Sequence, residues 1–327
     1  MSQTAAPLSA DKELPFARAA MAPPPKQMSH LGSFIAGGLA ACGAVTVTNP
    51  AELAKTRLQL QGELAKGGQV KKIYTGVFQA IGTIFKHEGI RGLQRGLGTA
   101  YVYQIALNGC RLGFYEPIRR GTNKIVYGDV DHPGSVATAV WAGAFSGVLG
   151  GCLGSPFYLV KTRMQSYSPV LPVGTQHYYR HMFDAFGQIY RKDGAKGLFR
   201  GMDAAIMRTG AGSSVQLPIY NYAKAFIEKH DLIGDGPAKH LSASAISGFG
   251  VCTVMQVFDT VMTRMYNQSG QLYKNPFDCF YKTVKAEGFL ALYKGFGAHL
   301  LRVGPHTVLT LTFMEQTMKM MKYFEGM

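Results

Sequence analysis

Charged side chains recur at a fixed distance from a proline in two long apolar segments. Glu52 and Lys55 follow Pro50, and Lys161 stands five residues after Pro156, as Lys55 does after Pro50. Residues three apart on a helix share one face. A charge inside hydrocarbon costs about 2.5 to 3.5 kcal/mol on insertion scales unless it meets a partner or water. The spacing therefore predicts ion pairs between neighbouring helices.

Two arginines lie deep in later apolar segments. Arg208 and Arg302 each precede by thirteen residues a position at the far end of the segment, Asn221 and Glu315, and Tyr103 occupies the corresponding place in the first such segment. These segments hold no carboxylate at the level of the arginines. The sequence therefore predicts unpaired guanidinium groups, a water-filled cavity and a mobile anion that completes them.

The composition fits a membrane protein whose charge is segregated. The chain has 34 Lys and Arg against 19 Asp and Glu, a net charge of +15, yet only 16% of its 327 residues are charged. Residues 31–48, 133–160 and 241–258 contain no charged residue, and each can span or nearly span a hydrocarbon core of about 30 Å. With 47% hydrophobic residues, a disordered chain is excluded.

One unit of about one hundred residues occurs three times. An acid–Gly pair, a gap of four residues, and then a residue, a base and a final Gly occur in Glu88–Gly96, Asp193–Gly201 and Glu287–Gly295. Upstream, the proline motif begins at Pro50 and Pro156, and Val257 takes the third place. We predict a tail over 1–29 that is disordered, and repeats over 30–127, 128–233 and 234–327.

Each repeat is predicted to contain two long hydrophobic helices joined by a polar loop with a short amphipathic helix. The six long helices are expected over 31–58, 97–121, 135–165, 200–229, 239–267 and 297–321. Lys and Arg concentrate in the three long loops, so the positive-inside rule places these loops on the cytoplasm-like side of the membrane and both termini on the opposite side. The fold class is therefore an all-α membrane protein.

These motifs resemble those of the mitochondrial carrier family over residues 30 to 325. The family pattern is Pro, any residue, an acid, two residues, a base, any residue and a base, followed by the acid–Gly and aromatic–base–Gly motif. The resemblance implies six transmembrane helices in a threefold pseudosymmetric barrel, with three short amphipathic helices on the matrix side. It also implies a monomeric alternating-access transporter of the mitochondrial inner membrane, with its termini toward the intermembrane space.

The resemblance implies a gate at the matrix side made from the proline motifs. Its predicted residues are Glu52, Lys55, Lys161, Asp259, Gln59 and Gln165. Glu52 is expected to pair with Lys161 and Asp259 with Lys55, with the glutamines bracing the pairs. The third pair is missing because its acid and base positions hold Tyr158 and Met262. Acid and base are absent together, as expected of partners, because a lone buried charge is costly.

A second gate is implied at the outer side. Its predicted residues are Glu116, Arg119, Lys224, Glu315, Tyr115 and Tyr220. Glu116 is expected to pair with Lys224 and Glu315 with Arg119, with the two tyrosines bracing the pairs. The third pair is again replaced on both sides, by Asn221 and Met318. With two pairs in each gate, we expect both gates to be of moderate and similar strength.

The substrate site is expected between the gates. Its predicted residues are Arg208, Thr209, Arg302, Arg111, Gln104, Asn108 and Tyr103. The Arg208–Thr209 pair and the sequence RLGFY from Arg111 resemble the oxoacid and dicarboxylate branch of the family. That resemblance implies small oxoacid and dicarboxylate anions. The third repeat, with FDTVMTRMYNQSGQLYK and PHTVLTLTFMEQTMK, is similar to carriers of this branch that move oxaloacetate, sulfate and malonate-type dicarboxylates, and this likeness implies those substrates. Exchange and proton symport both stay open, as do another dicarboxylate or oxoacid and an anion-assisted proton-leak carrier.

The remaining partners follow from the same resemblance. Cardiolipin is expected at helix starts near Gly76, Gly96, Gly201 and Gly295, where backbone N–H groups meet lipid phosphate. No cofactor and no metal is expected, and five widely spaced cysteines make no zinc or disulfide pattern. We find no catalytic motif that favours an enzyme. The membrane segregation of the basic residues argues against nucleic-acid binding.

Overall fold

The computed structural model describes residues 29–64, 73–129, 136–229 and 237–325. Within them lie nine α-helices and one short 3-10 helix. The helices are α1 His30–Leu60, α2 Val77–Leu93, α3 Leu97–Tyr127, α4 Val136–Ser166, α5 Met182–Leu198, α6 Met202–Lys229, α7 Pro237–Asn267, α8 Pro276–Glu287 and α9 Phe296–Phe324, with the 3-10 helix at Phe289–Tyr293 between α8 and α9.

The predicted N-terminal tail falls mostly on residues 1–28, which lie outside the described residues. Ser29, its last residue, is ordered and forms the N-cap of α1. The Ser29 hydroxyl accepts a hydrogen bond from the Gly32 amide at 2.9 Å, and the Ser29 amide donates to Glu325 Oε2 at 3.0 Å. A capped helix start satisfies an amide that would otherwise lack a partner. The start of α1 and the end of α9 therefore meet.

The six long helices form a ring in chain order. Each packs against its neighbours along the chain, and α9 returns to α1. They have 28 to 31 residues, so at about 1.5 Å per residue each exceeds the hydrocarbon thickness. The predicted all-α, six-span, threefold fold is confirmed, with the predicted boundaries shifted by at most six residues.

Three of the six spans are apolar enough to be recognised by composition alone. These are Phe34–Leu60, Trp141–Ser166 and Ala245–Asn267, in α1, α4 and α7. The other three carry more polar residues along their length, including Arg208 in α6 and Arg302 in α9. Polar side chains are tolerated in a span where they face a cavity and not lipid.

The buried core lies at the end of the ring that carries α2, α5 and α8, here called the loop end. At this end the first long helices of the three repeats, α1, α4 and α7, contact one another. One core cluster joins α4 to α7 around Leu159 and Tyr266, and another joins α1 to α2 around Leu53 and Ile84. The loop end is therefore closed.

The glycine of each acid–Gly pair turns the chain in the same way. Gly89 has φ 67° and ψ −168°, Gly194 has φ 68° and ψ −168°, and Gly288 has φ 86° and ψ 165°. This region of backbone space is essentially restricted to glycine. The motif thus kinks α2 at Gly89 and α5 at Gly194, and it ends α8 just before Gly288.

The final glycine of each repeat motif lies at the start of the second long helix of its repeat and packs against the next repeat. Gly96, with φ 77°, precedes α3, and a Cβ built on it would lie 3.2 Å from Gln165 Cγ. Gly201 and Gly295 have the same left-handed conformation and face Tyr266 and Gln59. All three positions therefore require a residue that is both small and free to adopt positive φ.

We expect Gly96→Ala to lower the thermal stability of the purified protein by more than Gly128→Ala. Both glycines are left-handed, with φ 77° and 74°, but nothing lies within 4 Å of a Cβ at Gly128. The backbone cost, roughly 1 to 2 kcal/mol, is therefore common to both. An equal loss in the two variants would show that packing at Gly96 contributes nothing.

Candidate functional site

Two buried ion pairs join the first long helices of different repeats at the loop end. Lys55 Nζ lies 2.5 Å from Asp259 Oδ2, which links α1 to α7. Lys161 Nζ lies 2.7 Å from Glu52 Oε1, which links α4 to α1. Each of the four side chains is less than 10% exposed. The structure thus brings together the residues of both pairs that the sequence predicts for the matrix gate.

Aromatic contacts occupy the place of the missing third pair. The Tyr158 ring centroid lies 5.2 Å from that of Tyr266 and 5.1 Å from that of Tyr103. Lys161 Nζ lies 5.4 Å from the Tyr158 centroid, within the range of a cation–π interaction. The Tyr266 hydroxyl lies 2.8 Å from Ser155 Oγ. Between α4 and α7 the closure is therefore aromatic.

The two glutamines of the predicted gate bind hydroxyl and amide groups and not the ion pairs, which corrects the expected bracing. Gln59 Nε2 donates to Thr260 Oγ1 at 3.3 Å, and Gln59 Oε1 accepts from Thr263 Oγ1 at 2.8 Å. Gln165 Nε2 donates to Asn49 Oδ1 at 3.1 Å. The glutamines do not contact the ion pairs because each lies four residues beyond its lysine, a full helical turn below the charges.

The two deep arginines are paired, so the prediction of unpaired guanidinium groups is wrong. Arg208 forms an ion pair with Asp259 through its Nε. Arg302 Nη2 lies 3.3 Å from Glu52 Oε1. Spacing along one helix excluded a carboxylate of α6 or α9 at the level of the arginines, but the long arginine side chains reach acids on α7 and α1. Arg302 Nε still lacks a hydrogen-bond partner among the described residues.

The charged groups at this level form one buried cluster with a surplus of positive charge. It contains four bases and two acids: Lys55, Lys161, Arg208, Arg302, Glu52 and Asp259. Formal charges therefore leave two positive charges without a counter-charge within the cluster. Because charges in a low-dielectric site attract counter-ions strongly, the cluster is suited to a dianion.

A cavity of about 350 Å³ opens onto this cluster. Its lining includes Tyr103, Gln104, His306 and Thr310 beside the charged groups. A second cavity of about 220 Å³ between α4 and α6 adjoins it through Tyr103, Tyr158 and Arg208. Gln104 is buried, with 8% of its surface exposed. Charged, hydrogen-bonding and aromatic groups thus converge on one space.

Of the remaining predicted substrate residues, only Thr209 has a side chain that the structure describes. Thr209 lines the second cavity, but its hydroxyl donates to the Ala205 carbonyl of its own helix at 2.9 Å. The side chains of Asn108 and Arg111 lie outside the described part of the structure. Arg208, Arg302, Tyr103 and Gln104 are therefore the predicted residues that the structure brings together around the cavity.

His299 belongs to the cluster, and the sequence reasoning missed it. Its Nε2 lies 3.4 Å from Asp259 Oδ2, and its Nδ1 lies 2.9 Å from Gln256 Oε1. Gln256 Nε2 in turn donates to the Lys294 carbonyl at 2.8 Å. A signal existed, since His299 lies three residues before Arg302 and so on the same helical face.

The pairs predicted for the outer gate are not formed. Glu116 instead pairs with Arg119 at 2.7 Å and Arg120 at 3.2 Å on its own helix. Lys224 lies 3.9 Å from Glu228, and Glu315 is exposed. With the loop end closed, Glu116 and Lys224 pair within their own helices and not across the ring. Tyr115 and Tyr220 are half-buried at that same end.

In repeats 1 and 3 the second base of the repeat motif pairs with an acid, which the sequence reasoning also missed. Arg57 binds Glu88 through Nη1 and Nη2, and Arg264 binds Glu287 likewise, with one contact of 2.6 Å. Each acid comes from the acid–Gly pair of the same repeat. The regular spacing of the two motifs was the available signal. Such bidentate pairs connect a short helix, α2 or α8, to the loop end of a membrane span, α1 or α7.

We expect the protein to lose stability as the pH falls below the ordinary range of a glutamate. Burial alone would raise the pKa of Glu287, but hydrogen bonds from Arg264 outweigh it and the pKa is lowered. The pKa of Glu88 is lowered by the same balance, through Arg57. Groups with depressed pKa values stabilise the fold above their unfolded pKa and lose this as they protonate.

The measurement is thermal unfolding from pH 7 to pH 3, for wild type and Glu287→Gln. The variant should be destabilised at pH 7 by about 3 kcal/mol, because it leaves Arg264 buried without its charge partner, and should depend less on pH. Asp278→Asn, at an exposed pair with Lys282, is the control. An unchanged acid profile in Glu287→Gln would contradict the assignment.

Chain comparisons agree with the repeat structure. The family model described as "Mitochondrial carrier protein" matches residues 26–125, 132–231 and 234–325. A mitochondrial oxaloacetate transport protein of Schizosaccharomyces pombe is 62% identical over 92% of this chain and 94% of its own length. That of Saccharomyces cerevisiae is 56% identical over 92% and 93%. Mitochondrial citrate transporter E of Aspergillus niger is 56% identical over 90% and 94%.

Proposed function

The chain belongs to the mitochondrial carrier family, and on that premise we propose that it moves small dianions, foremost oxaloacetate, sulfate and malonate-type dicarboxylates, across the mitochondrial inner membrane. As a member of this family it is a carrier of a mitochondrial membrane and not an enzyme. Its relatives are named for carboxylate transport, so carriage of small carboxylate anions is the general activity that they support.

The observation that carries the proposal is the surplus of two positive charges in the buried cluster. Arg208 and Arg302 come from different repeats and flank the same cavity. Each uses part of its guanidinium for an acid, and Arg302 Nε has no partner among the described residues. Two carboxylates, or the oxygens of one sulfate, match guanidinium donors in geometry and charge. A dianion would therefore neutralise the cluster.

Substrate binding would also affect the two ion pairs that close the loop end. Asp259 and Glu52 hold the two ion pairs of the closed end, and each also contacts one of the arginines. An anion that takes over the arginines competes for them with these acids. A ligand shifts a conformational equilibrium through its difference in affinity for the two states. Substrate binding would thus alter the acids that close the loop end.

Alternating access then follows from the two ends of the ring. The loop end, proposed as the matrix gate, is closed by Lys55–Asp259 and Lys161–Glu52. The opposite end would close through Glu116–Lys224 and Glu315–Arg119 once the loop end opens, with Tyr115 and Tyr220 beside them. Two pairs at each end would give gates of similar strength. Both termini would face the intermembrane space.

Cardiolipin remains part of the proposal. Gly76 precedes α2 in an extended conformation with open space around it, and Gly96, Gly201 and Gly295 precede long helices. Helix N-termini favour phosphate because their amides point outward and the dipole is positive there. Because the latter three glycines also pack against a neighbouring repeat, lipid bound there would brace repeat contacts in a monomeric carrier.

The test is uptake by vesicles containing the purified protein. Oxaloacetate, sulfate and malonate should be taken up at least about 10-fold faster than ADP, with citrate and malate as further arms because one relative is named for citrate. Uptake into empty vesicles, vesicles loaded with anion and vesicles with a pH gradient separates exchange from proton symport. Proton flux without anion uptake would instead identify a proton-leak carrier.

A further inference from the structure

The second repeat differs from the other two at the loop end of its first long helix, α4. In repeats 1 and 3 the second base of the proline motif binds a glutamate, in Arg57–Glu88 and Arg264–Glu287. In repeat 2 the acid is Asp193, one methylene shorter. Among the described residues no ion pair joins it to Arg163, and it lies instead 3.5 Å from Arg200 Nη1.

Arg163 is therefore a buried cation with neutral partners. It is 3% exposed. It donates to the carbonyls of Tyr266 at 3.0 Å and Gln268 at 3.3 Å, and to the Tyr179 hydroxyl at 3.3 Å. A buried charge without a counter-charge is costly. This is the charge balance that an anion would correct.

Arg200 also differs from its counterparts. The equivalent Arg95 donates to the Tyr167 carbonyl at 3.1 Å and lies over the Tyr167 ring. The equivalent Lys294 pairs with Glu287 at 2.6 Å. Arg200 has a 3.5 Å contact with Asp193, and its buried Nη1 has no hydrogen-bond partner in the described part of the chain. The second repeat thus leaves a guanidinium donor unsatisfied.

These groups share a polar cavity of about 230 Å³ between repeats 2 and 3. Besides Arg163 and Arg200 it is lined by His177, Lys192, Asp193 and Ser269. Three bases against one acid leave a surplus of two positive charges. His177 Nε2 lies 2.9 Å from the Asn267 carbonyl, so the neutral ring would donate there. Burial, with the nearby Arg163, lowers the pKa of His177 to about 4.

We propose that this cavity is a second anion site, distinct from the transport cavity, that takes a phosphate group between Arg163, Lys192 and Arg200. Arg163 already joins α4 to carbonyls at the end of α7, so a phosphate seated here bridges repeats 2 and 3 at the closed loop end. The group can come from free inorganic phosphate or from a lipid headgroup, since both present the same oxygens.

The experiment measures thermal unfolding of the full-length protein in lipid-free detergent, with and without inorganic phosphate. Phosphate should raise the melting temperature of the wild type by roughly 3 °C at saturation. Asp193→Glu, which supplies the longer acid of repeats 1 and 3, should be more stable without phosphate and lose most of the response. Arg200→Gln should lose the response as well.

Two controls separate this site from others. Arg95→Gln, the same change at the equivalent place in repeat 1, should keep the wild-type phosphate response. Arg302→Ala, which damages the transport cavity, should keep it too. Micelles containing phosphatidic acid form the second arm. Stabilisation by phosphate in lipid-free detergent supports a free anion, and stabilisation by phosphatidic acid alone supports a headgroup.

The proposal is overturned if neither phosphate nor phosphatidic acid stabilises the wild type. It is equally overturned if Asp193→Glu and Arg200→Gln both respond as the wild type does, or if Arg302→Ala alone removes the response. The last result would place the phosphate in the transport cavity. These outcomes do not depend on which anion the carrier moves, so a failure of this site is distinguishable from a failure of the proposed function.

Discussion

Arg208→Ala is expected to reduce anion uptake by about 100-fold or more, with the fold retained. Arg208 lines both adjoining cavities and forms an ion pair with Asp259. Truncating one partner of a buried, hydrogen-bonded charge pair costs about 2 to 5 kcal/mol. Asp259 keeps Lys55 at 2.5 Å, so the variant leaves no unpaired buried acid. Initial uptake of labelled sulfate and malonate measures the effect.

The controls define what the loss means. Arg208→Lys keeps the charge but not the planar fork, and should recover only part of the uptake. Arg120→Ala removes an arginine whose side chain is 57% exposed on α3 and should leave uptake within about twofold. Arg302→Ala should resemble Arg208→Ala. If both alanine variants retained wild-type uptake, the substrate site would lie elsewhere.

The charge reversal Glu52→Lys is expected to abolish uptake. Adding Lys161→Glu should raise the uptake at least about 10-fold above that of the single variant. The single variant places a positive charge beside Lys161 and Arg302, where the acid now lies within 3.3 Å of both. The double variant restores the pair between α1 and α4. Recovery is partial because Arg302 then faces the introduced ammonium group in place of a carboxylate.

A matched double variant distinguishes rescue by a direct contact between residues 52 and 161 from rescue by the restored net charge. Glu52→Lys with Lys282→Glu changes the net charge by the same amount as the rescuing pair. Lys282 lies on the surface helix α8, with its side chain 39% exposed and bound to Asp278. This combination should stay inactive. Equal recovery in the two double variants would show that Glu52 and Lys161 are not coupled.

The ion pairs at the loop end could be predicted because the repeat places equivalent residues on equivalent helices. Three copies in register allow ion pairs between neighbouring repeats, and the resemblance to the family implied that the acid of one repeat meets the base of the next. The joint loss of acid and base at Tyr158 and Met262 was visible in the sequence alone. The aromatic contacts of Tyr158 were not, because they depend on how Tyr103 and Tyr266 pack.

The deep arginines show where spacing stops being informative. Counting along α6 and α9 gives the depth of Arg208 and Arg302 but not the acids that their side chains reach on other helices. The pairs with Asp259 and Glu52 arise from the closure of the loop end. Sequence also names the residues of a gate without saying which gate is closed, and so the outer pairs were predicted but are absent.

Small differences between repeats carried further information. Asp193 matches the acid–Gly pattern as well as Glu88 and Glu287 do, and a pattern search treats the three alike. The two glutamates bind the buried arginine of their own repeat, whereas Asp193, one methylene shorter, contacts Arg200 instead. Only the side-chain contacts show that the acid and the buried arginine of repeat 2 have different partners from those in repeats 1 and 3.

The most direct measurement of the central claim compares oxaloacetate with pyruvate as ligands of the purified wild-type protein. Both are α-keto acids of similar shape, but pyruvate lacks the second carboxylate that two surplus positive charges require. Oxaloacetate should raise the melting temperature and inhibit sulfate uptake at a concentration at least about 10-fold lower than pyruvate does. Equal potency of the two acids would contradict a site built for a dianion.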